Sequence, residues 1–179
     1  MNDLSLHILD VSENCIDAGA KNIEIIINED TKKDLLSIEI NDDGKGIDED
    51  MIKQIQNPFT TSRTTRKVGL GIPFFKEAAE SCEGKFVISS AKGIGTKVKA
   101  TFKHSHIDRK PLGDISETLI ALILRAEKAE ILYYHKRNGK DFVFRTKDLK
   151  LQLKVQNLRQ ASLLKKLKEI IKQKISELQ

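Results

Sequence analysis

The chain has 179 residues and a formal net charge of +5, from 31 Lys and Arg against 26 Asp and Glu. Hydrophobic residues make up 39% and charged residues 32%, which excludes a disordered chain and is typical of a globular domain. No apolar run reaches the roughly 20 residues of a membrane span, and the first ten residues lack the basic region of a secretory signal. We therefore expect a cytoplasmic protein that does not cross a membrane.

Periodicity predicts pairs of strands separated by one or two helices along the chain. Helices are predicted over residues 4–18, 48–55, 72–82, 115–129 and 158–178, and strands over 22–28, 35–41, 85–91, 96–103, 130–134 and 141–145. This order predicts an α+β fold, a two-layer α/β sandwich with helices on one face of a mixed, largely antiparallel sheet. We expect one domain over residues 1–108 and a C-terminal extension of helix, β-hairpin and amphipathic basic helix over 109–179.

The positive charge is concentrated in the C-terminal part of the chain. Residues 145–179 contain ten Lys and Arg against three Asp and Glu, whereas residues 1–144 contain 21 against 23. A nucleic-acid partner is therefore not favoured for the body of the chain. The last predicted helix mixes a Leu/Ile seam with Lys, which favours formation of a homodimer or docking to a partner, with an acidic protein surface as one candidate and DNA as another. Packing of this helix on its own domain is the alternative.

The first predicted helix carries a polar stripe. Asp10, Glu13, Asn14 and Asp17 are spaced i, i+3, i+4 and i+7, so their side chains share one face. The opposite side is apolar and is expected to pack on a sheet; its residues are Leu4, Ile8, Val11 and Cys15. Carboxylate and amide oxygens are the ligands that suit Mg²⁺. An ordinary solvated helix face is the alternative interpretation of the stripe.

Three glycine-containing segments follow the stripe. The first, residues 42–46, directly follows a predicted strand and has the sequence Asp-Asp-Gly-Lys-Gly. The second, residues 69–71, begins a helix after a basic loop, where backbone N–H groups and cations suit phosphate. The third, residues 93–96, links two predicted strands. Each segment taken alone is equally consistent with a turn or a loop.

Taken together and in this order, the segments resemble those of the GHKL superfamily, which includes histidine-kinase catalytic domains, gyrase B subunits, MutL-type mismatch-repair proteins and a heat-shock chaperone. The matching segments are residues 13–20 as the Asn box, 42–47 as the first glycine box, 57–62 as the lid segment, 69–72 as the second glycine box and 93–96 as the late Gly-Thr element. The resemblance covers residues 4–103 and implies a Bergerat-type fold that binds ATP and Mg²⁺.

The resemblance also implies roles for individual residues. Asn14 would ligate Mg²⁺, and Asp42 would accept a hydrogen bond from the adenine amino group, with Thr96 nearby through water. The other residues expected at the nucleotide are Asp17, Gly44, Lys45, Gly46, Ile47, Phe59, Thr60, Thr61, Arg63, Gly69, Leu70 and Gly71. Bracing of the pocket is the alternative role for Asp17, and solvent exposure is the alternative for Lys45 and Arg63.

One position departs from the pattern of the gyrase and MutL branches. There, a Glu four residues before the metal-binding Asn is the general base for hydrolysis, and histidine kinases commonly have Asn at that position. This chain has Asp10, whose side chain is one methylene shorter than Glu and therefore reaches a water differently. The candidate catalytic residues are Asp10 and Glu13, which lies on the same helix face but not at the family's position.

The resemblance implies a Mg-ATP-binding regulatory protein that transfers the γ-phosphate to a separate partner protein in signal transduction. A non-catalytic ATP-dependent switch is the alternative, and a MutL-like DNA-associated ATPase is the third and least favoured. None of the four histidines matches the family's phosphoacceptor, so we expect the acceptor on another protein.

Overall fold

The computed structural model describes residues 2–56 and 71–179, with the side chains of residues 54–56 left out. The helices of this part are α1 (Leu4–Asp17), α2 (Glu49–Gln56), α3 (Gly71–Glu80), α4 (Ile115–Arg125), α5 (Thr146–Leu153) and α6 (Ala161–Ser176). The strands are β1 (Asn22–Asp30), β2 (Leu35–Asp42), β3 (Phe86–Ala91), β4 (Gly95–Lys103), β5 (Glu130–Arg137) and β6 (Lys140–Arg145).

The described strands form one mixed sheet in the order β3-β4-β2-β1-β5-β6. The β1–β5 pair is parallel and the other neighbouring pairs are antiparallel. The parallel pair needs a long crossover connection, and α4 lies in the segment that leads into β5. The sheet therefore continues into the C-terminal part of the chain, and the predicted α+β sandwich is confirmed. The division at residue 108 stays a prediction.

The core lies between the sheet and the helices. Alternate residues of β1, namely Ile23, Ile25 and Ile27, are fully buried, as a strand with one covered face requires. Helix α1 buries the side predicted to be apolar, including Ile8 and Val11, and packs against α3 and α4. This packing leaves the polar stripe of α1 turned away from the core.

The C-terminal segment differs from the prediction in two details. Helix α4 ends at Arg125, four residues early, because the backbone at Ala126 leaves the helical region with ψ of 85°. Helix α5 was not predicted from the sequence. It begins at Thr146, whose buried hydroxyl accepts a hydrogen bond from the Ile131 N–H of β5 at 2.9 Å. A contact of this kind between distant parts of the chain leaves no periodic signal.

Helix α6 packs on α4 within the same chain. Leu164, Leu167 and Ile171 are buried, so the apolar seam of this helix is already covered. The docking or dimerisation role of α6 stays a prediction that its exposed lysines alone support. Within the two described stretches, no helix is long and apolar enough to cross a bilayer.

Candidate nucleotide site

A cleft of about 380 Å³ opens at the end of the sheet where β2 ends and β4 begins. Sites for small molecules typically measure about 300–1,000 Å³, so the volume is adequate for a nucleotide. Its lining includes the predicted residues Asn14, Asp17, Asp42, Lys45, Gly46, Ile47 and Thr96. The fold therefore brings together residues that lie up to 82 positions apart in the sequence.

The apolar wall of the cleft comes from residues that sequence analysis did not assign to the site. Val11, Cys15, Met51, Ile72 and Val98 line it, contributed by α1, α2, α3 and β4. Val11 and Cys15 had been identified only as part of the buried side of α1. An apolar wall of this kind suits the face of a planar aromatic ring, and its residues look like ordinary core positions in the sequence.

Asp42 lies half-buried at the end of β2. Its Oδ1 accepts a hydrogen bond from the Gly44 N–H at 2.7 Å, which fixes the carboxylate against the following turn. The thiol of Cys15 lies buried nearby and donates to the Val11 carbonyl at 3.2 Å. Burial raises the pKa of Cys15 far above its usual range, and the neighbouring Asp42 raises it further. The thiol is therefore protonated at neutral pH.

The neighbouring acid, Asp43, has a different role. Its carboxylate accepts from the backbone N–H groups of Lys21 at 2.7 Å and Asn22 at 2.8 Å, and from the Asn22 side-chain amide at 2.7 Å. The hydrogen bonds of Asp43 therefore hold the turn after β2 against the start of β1. Of the two adjacent acids, Asp42 is the one that lines the cleft.

Two glycines let the turn after β2 press against the β3–β4 turn. Gly46 has φ of +68°, and a Cβ there would lie 2.1 Å from the Ala91 carbonyl oxygen. Gly95 has φ of +132°, and a Cβ there would lie 1.9 Å from the Asp42 carbonyl oxygen. No L side chain fits at either distance, so these positions require glycine for close backbone packing. The first and last predicted glycine segments thus form one structural unit.

Ser90 joins the same two segments and was missed by sequence analysis. Its hydroxyl donates to the Gly95 carbonyl at 2.7 Å, accepts from the Ile47 N–H at 2.8 Å, and lies 2.9 Å from the Thr96 hydroxyl. Ser90 therefore positions Thr96 at the cleft. A single Ser near the end of a strand carries no sequence signal for this role.

The polar stripe of α1 divides between the cleft and its surroundings. Asn14 and Asp17 line the cleft, while Asp17 and Glu13 both pair with Arg125 of α4. Asp10 is not among the residues that line the cleft. It packs against the start of α3, where a Cβ on Gly71 would lie 2.8 Å from that of Asp10. Burial raises the pKa of Asp10 above its usual value.

The predicted lid cannot be compared with this geometry. Phe59, Thr60, Thr61, Arg63, Gly69 and Leu70 lie outside the described residues. Gly71 is the first described residue after that gap, and it begins α3. The phosphate-binding role of these residues stays a prediction.

Residues 2–106 match the family model of the histidine kinase-, DNA gyrase B- and HSP90-like ATPases. The chain belongs to this ATPase family. The match confirms the resemblance found in the sequence. The matched residues include every residue that lines the cleft. Family membership implies nucleotide binding, generally with Mg²⁺.

Relatives of this ATPase domain are distant and larger. It is 30% identical over 94 residues to the "Sensor histidine kinase YvrG" of Bacillus subtilis, covering 50% of this chain and 16% of that protein. It is 29% identical over 98 residues to the "Non-motile and phage-resistance protein" of Caulobacter vibrioides, covering 52% and 12%. The matched segment thus covers less than a sixth of the length of either protein.

A solved structure shares the ATPase fold. The N-terminal domain of a DNA repair protein superposes with a TM-score of 0.54 at 19% identity, covering 82% of this chain and 54% of that one. At this identity the likeness concerns the fold alone.

The polar side chains that line the cleft suit an adenine nucleotide bound together with Mg²⁺. The Asp42 carboxylate suits an amino group, and Lys45 and Lys92 are exposed cations of the lining that suit phosphates. In the described part of the chain, no group of three or more His, Cys, Asp or Glu side chains could hold a metal ion alone. The Asn14 side-chain amide, which lines the cleft, has the oxygen that Mg²⁺ prefers, and a nucleotide would add phosphate oxygens.

Proposed function

We propose that this chain binds Mg-ATP in the cleft and transfers the γ-phosphate to a side chain of a separate partner protein. One observation carries the choice of transfer over hydrolysis. Neither candidate catalytic acid, Asp10 or Glu13, is among the residues that line the described cleft. The acids that do line it have other tasks: Asp17 pairs with Arg125, Asp42 faces the adenine, and Asp48 accepts from the Met51 N–H at the start of α2. A water nucleophile would need a base that is free to orient it.

The two candidate catalytic acids support the same choice. Glu13 lies 3.2 Å from the Arg125 guanidinium, and Asp10 packs against the start of α3 instead of lining the cleft. In phosphoryl transfer, the enzyme mainly positions the donor and stabilises charge, while the acceptor supplies the nucleophile. An acceptor hydroxyl, imidazole or carboxylate on another protein would therefore complete the site.

Within this proposal the residues of the cleft have distinct tasks. Asp42 accepts from the adenine amino group, and the backbone at Gly44 and Gly46 lies along the ring. Asn14 ligates Mg²⁺, and Lys45 lies near the phosphates. The Mg²⁺ ion, when bound, neutralises part of the phosphate charge. Asp17 braces the pocket through its ion pair, which agrees with the structural alternative weighed for it.

The relatives are consistent with this proposal. The Bacillus subtilis protein is a sensor histidine kinase by name, and this chain corresponds to a small part of it. We propose a role in signal transduction in the cytoplasm, where ATP and a protein acceptor are both present. A non-catalytic switch and a DNA-associated ATPase are the competing functions.

The decisive experiment uses ATP labelled on the γ-phosphate, with the chain alone and with cell lysate. We expect label on a second protein, no label on the chain, and loss of transfer in an Asp42→Asn variant. Release of phosphate without an acceptor would indicate an ATPase, and stimulation by DNA would indicate the third function. A nucleotide-dependent conformational change with neither transfer nor release would indicate a switch. Each of these three outcomes contradicts the proposal.

A further inference from the structure

Strand β6 is the last strand of the sheet, and one of its edges is unpaired. In the described part of the chain, β5 is the one element that packs extensively along β6. An edge strand presents a row of backbone N–H and C=O groups that another strand can pair with. Val143 in the middle of β6 is 43% exposed, so an apolar side chain also lies beside this edge.

The hairpin turn determines which backbone groups of β6 face the free edge. Asn138 and Gly139 have φ of +50° and +93°, which identifies a two-residue type I′ turn. The flanking residues, Arg137 and Lys140, are therefore a hydrogen-bonded pair. Because such pairs alternate along an antiparallel ladder, Phe142 and Phe144 bond to β5. The backbone groups that point to the free edge belong to Asp141, Val143 and Arg145.

The sequence of this edge is complementary to itself. When two copies of β6 run antiparallel with Val143 opposite Val143, Asp141 faces Arg145 and Phe142 faces Phe144, and each of these last two pairings occurs twice. Pairs of opposite charge, of aromatic residues and of β-branched residues each stabilise neighbouring strands. In this register the outward backbone groups of Asp141, Val143 and Arg145 meet each other, as hydrogen bonding requires. Moving the register by two residues removes both ion pairs.

The outer face of the sheet supports the same alignment. Ile26, Tyr134 and Val143 lie in register across β1, β5 and β6 and form an apolar row that ends at the free edge. Arg145 pairs with Asp148 at 3.6 Å, and both side chains are more than half exposed. An exposed pair at that distance is weak, so Arg145 can pair with another carboxylate instead.

We propose that the free edge of β6 pairs with β6 of a second copy of this chain, antiparallel about a twofold axis at Val143. The two sheets then form one continuous sheet, and the two apolar rows meet at the axis. A twofold contact of this kind is closed, so it produces a dimer and no larger assembly. The interface is separate from the nucleotide cleft, and its existence does not depend on the function proposed above.

A charge-swap experiment tests the pairing. Asp141→Arg gives two facing Arg pairs in its homodimer, and Arg145→Asp gives two facing Asp pairs. A mixture of the two variants restores both ion pairs in a heterodimer. By sedimentation and light scattering over a concentration series, we expect a dimer of the unchanged chain, dimers of each variant weakened about tenfold or more, and recovery in the mixture. A monomeric unchanged chain, or a mixture without recovery, overturns the proposal.

A second pair of variants tests the backbone contact itself. The N–H of Val143 points to the free edge, so Val143→Pro removes a hydrogen-bond donor that β5 does not use. Proline is tolerated at such a position of an edge strand. Val143→Thr keeps that N–H and is the matched control. We expect Val143→Pro to be monomeric with an unchanged circular-dichroism spectrum and unchanged nucleotide affinity, and Val143→Thr to dimerise. A Val143→Pro chain that still dimerises overturns the proposal.

Discussion

The guanidinium of Arg125 donates to the carboxylate of Asp17 across 2.8 Å, and its other terminal nitrogen lies 3.2 Å from the Glu13 carboxylate. Asp17 lines the nucleotide cleft, whereas Arg125 ends α4, beyond the residues that the family model matches. The hydrogen bond to Asp17 and the charge of Glu13 raise the pKa of Arg125. The C-terminal part of the chain therefore neutralises two acids beside the proposed phosphate site.

Replacing Arg125 by Ala tests this coupling. The change leaves Glu13 and Asp17 without their cation, so their negative charge repels the phosphates, and we expect Mg-ATP to bind about three- to tenfold more weakly. Because the pairs are exposed, the midpoint of thermal unfolding should hardly change. The measurement is titration calorimetry at low and high salt, and the difference should shrink at high salt. Lys128→Ala, which removes an exposed cation just past α4, is the control. Equal affinities for all three chains would contradict the coupling.

Asp42→Asn tests the adenine contact. The amide oxygen can still accept from the Gly44 N–H, so we expect the fold to be preserved. The Asn side chain lacks the negative charge of Asp42 and accepts a weaker hydrogen bond from the adenine amino group, so ATP affinity should fall by about tenfold or more. Fluorescence titration of a labelled adenine nucleotide measures this fall.

Asp43→Asn is the neighbouring comparison. It should lower stability more than affinity, because Asp43 bonds to Lys21 and Asn22 and does not line the cleft. The reverse ranking would mean that Asp43 contacts the nucleotide.

The part of this architecture that follows local rules could be predicted from the sequence. The alternating Ile of β1 and the i, i+3, i+4 spacing in α1 directly reflect a strand and a helix with one buried face. The glycines at 46 and 95 were found because their segments resemble family motifs in the same order, and the structure shows that neither position has room for a side chain. The buried faces of the strand and the helix depend on residues close together in the chain, which is why periodicity reveals them.

The contacts made between distant segments could not be predicted in the same way. Arg125 and Asp17 are 108 residues apart, and Ser90 holds Ile47 across 43 residues. Lone Arg and Ser side chains fit many surface positions, so their type indicates no partner. The short helix α5 has no apolar periodicity strong enough to predict it, and its start depends on the contact between Thr146 and β5. These contacts form only once the fold brings distant segments of the chain side by side.

Gly95→Ala tests whether the two turns must be in contact at the cleft. The added Cβ would lie 1.9 Å from the Asp42 carbonyl oxygen, so the β3–β4 turn must move away from the turn after β2. We expect a loss of more than about 2 kcal/mol in the free energy of unfolding, with a matching loss of nucleotide affinity. Chemical denaturation measures the first quantity. Gly93→Ala is the control, since nothing lies within 4 Å of a Cβ there, and its positive φ costs about 1 kcal/mol. If the two variants are equally stable, the packing of the turns is looser than described.

At the opposite end of the sheet, Glu29 lies between two histidines. Its Oε1 is 2.9 Å from Nε2 of His135, and its Oε2 is 2.8 Å from Nε2 of His104. The Nδ1 of His135 lies 2.9 Å from the Tyr133 hydroxyl, so the hydrogen bonds continue into the core. Burial by itself would raise the pKa of Glu29. The hydrogen bonds to His135 and then His104 outweigh burial and lower the pKa to about 2.

This lowered pKa predicts how stability depends on pH. The native chain keeps Glu29 ionised where the unfolded chain, with a pKa near 4.5, takes up a proton. Its contribution, on the order of 3 kcal/mol, is therefore fully present above about pH 5 and is lost as the pH falls toward 2. Glu29→Gln should be less stable at neutral pH and should show a shallower loss of unfolding free energy between pH 5 and 3, as measured by urea denaturation. Glu24→Gln, an exposed acid on the same strand, should keep the slope of the unchanged chain. Parallel slopes for the unchanged chain and the Glu29 variant would show that the histidines do not hold this carboxylate in its ionised form.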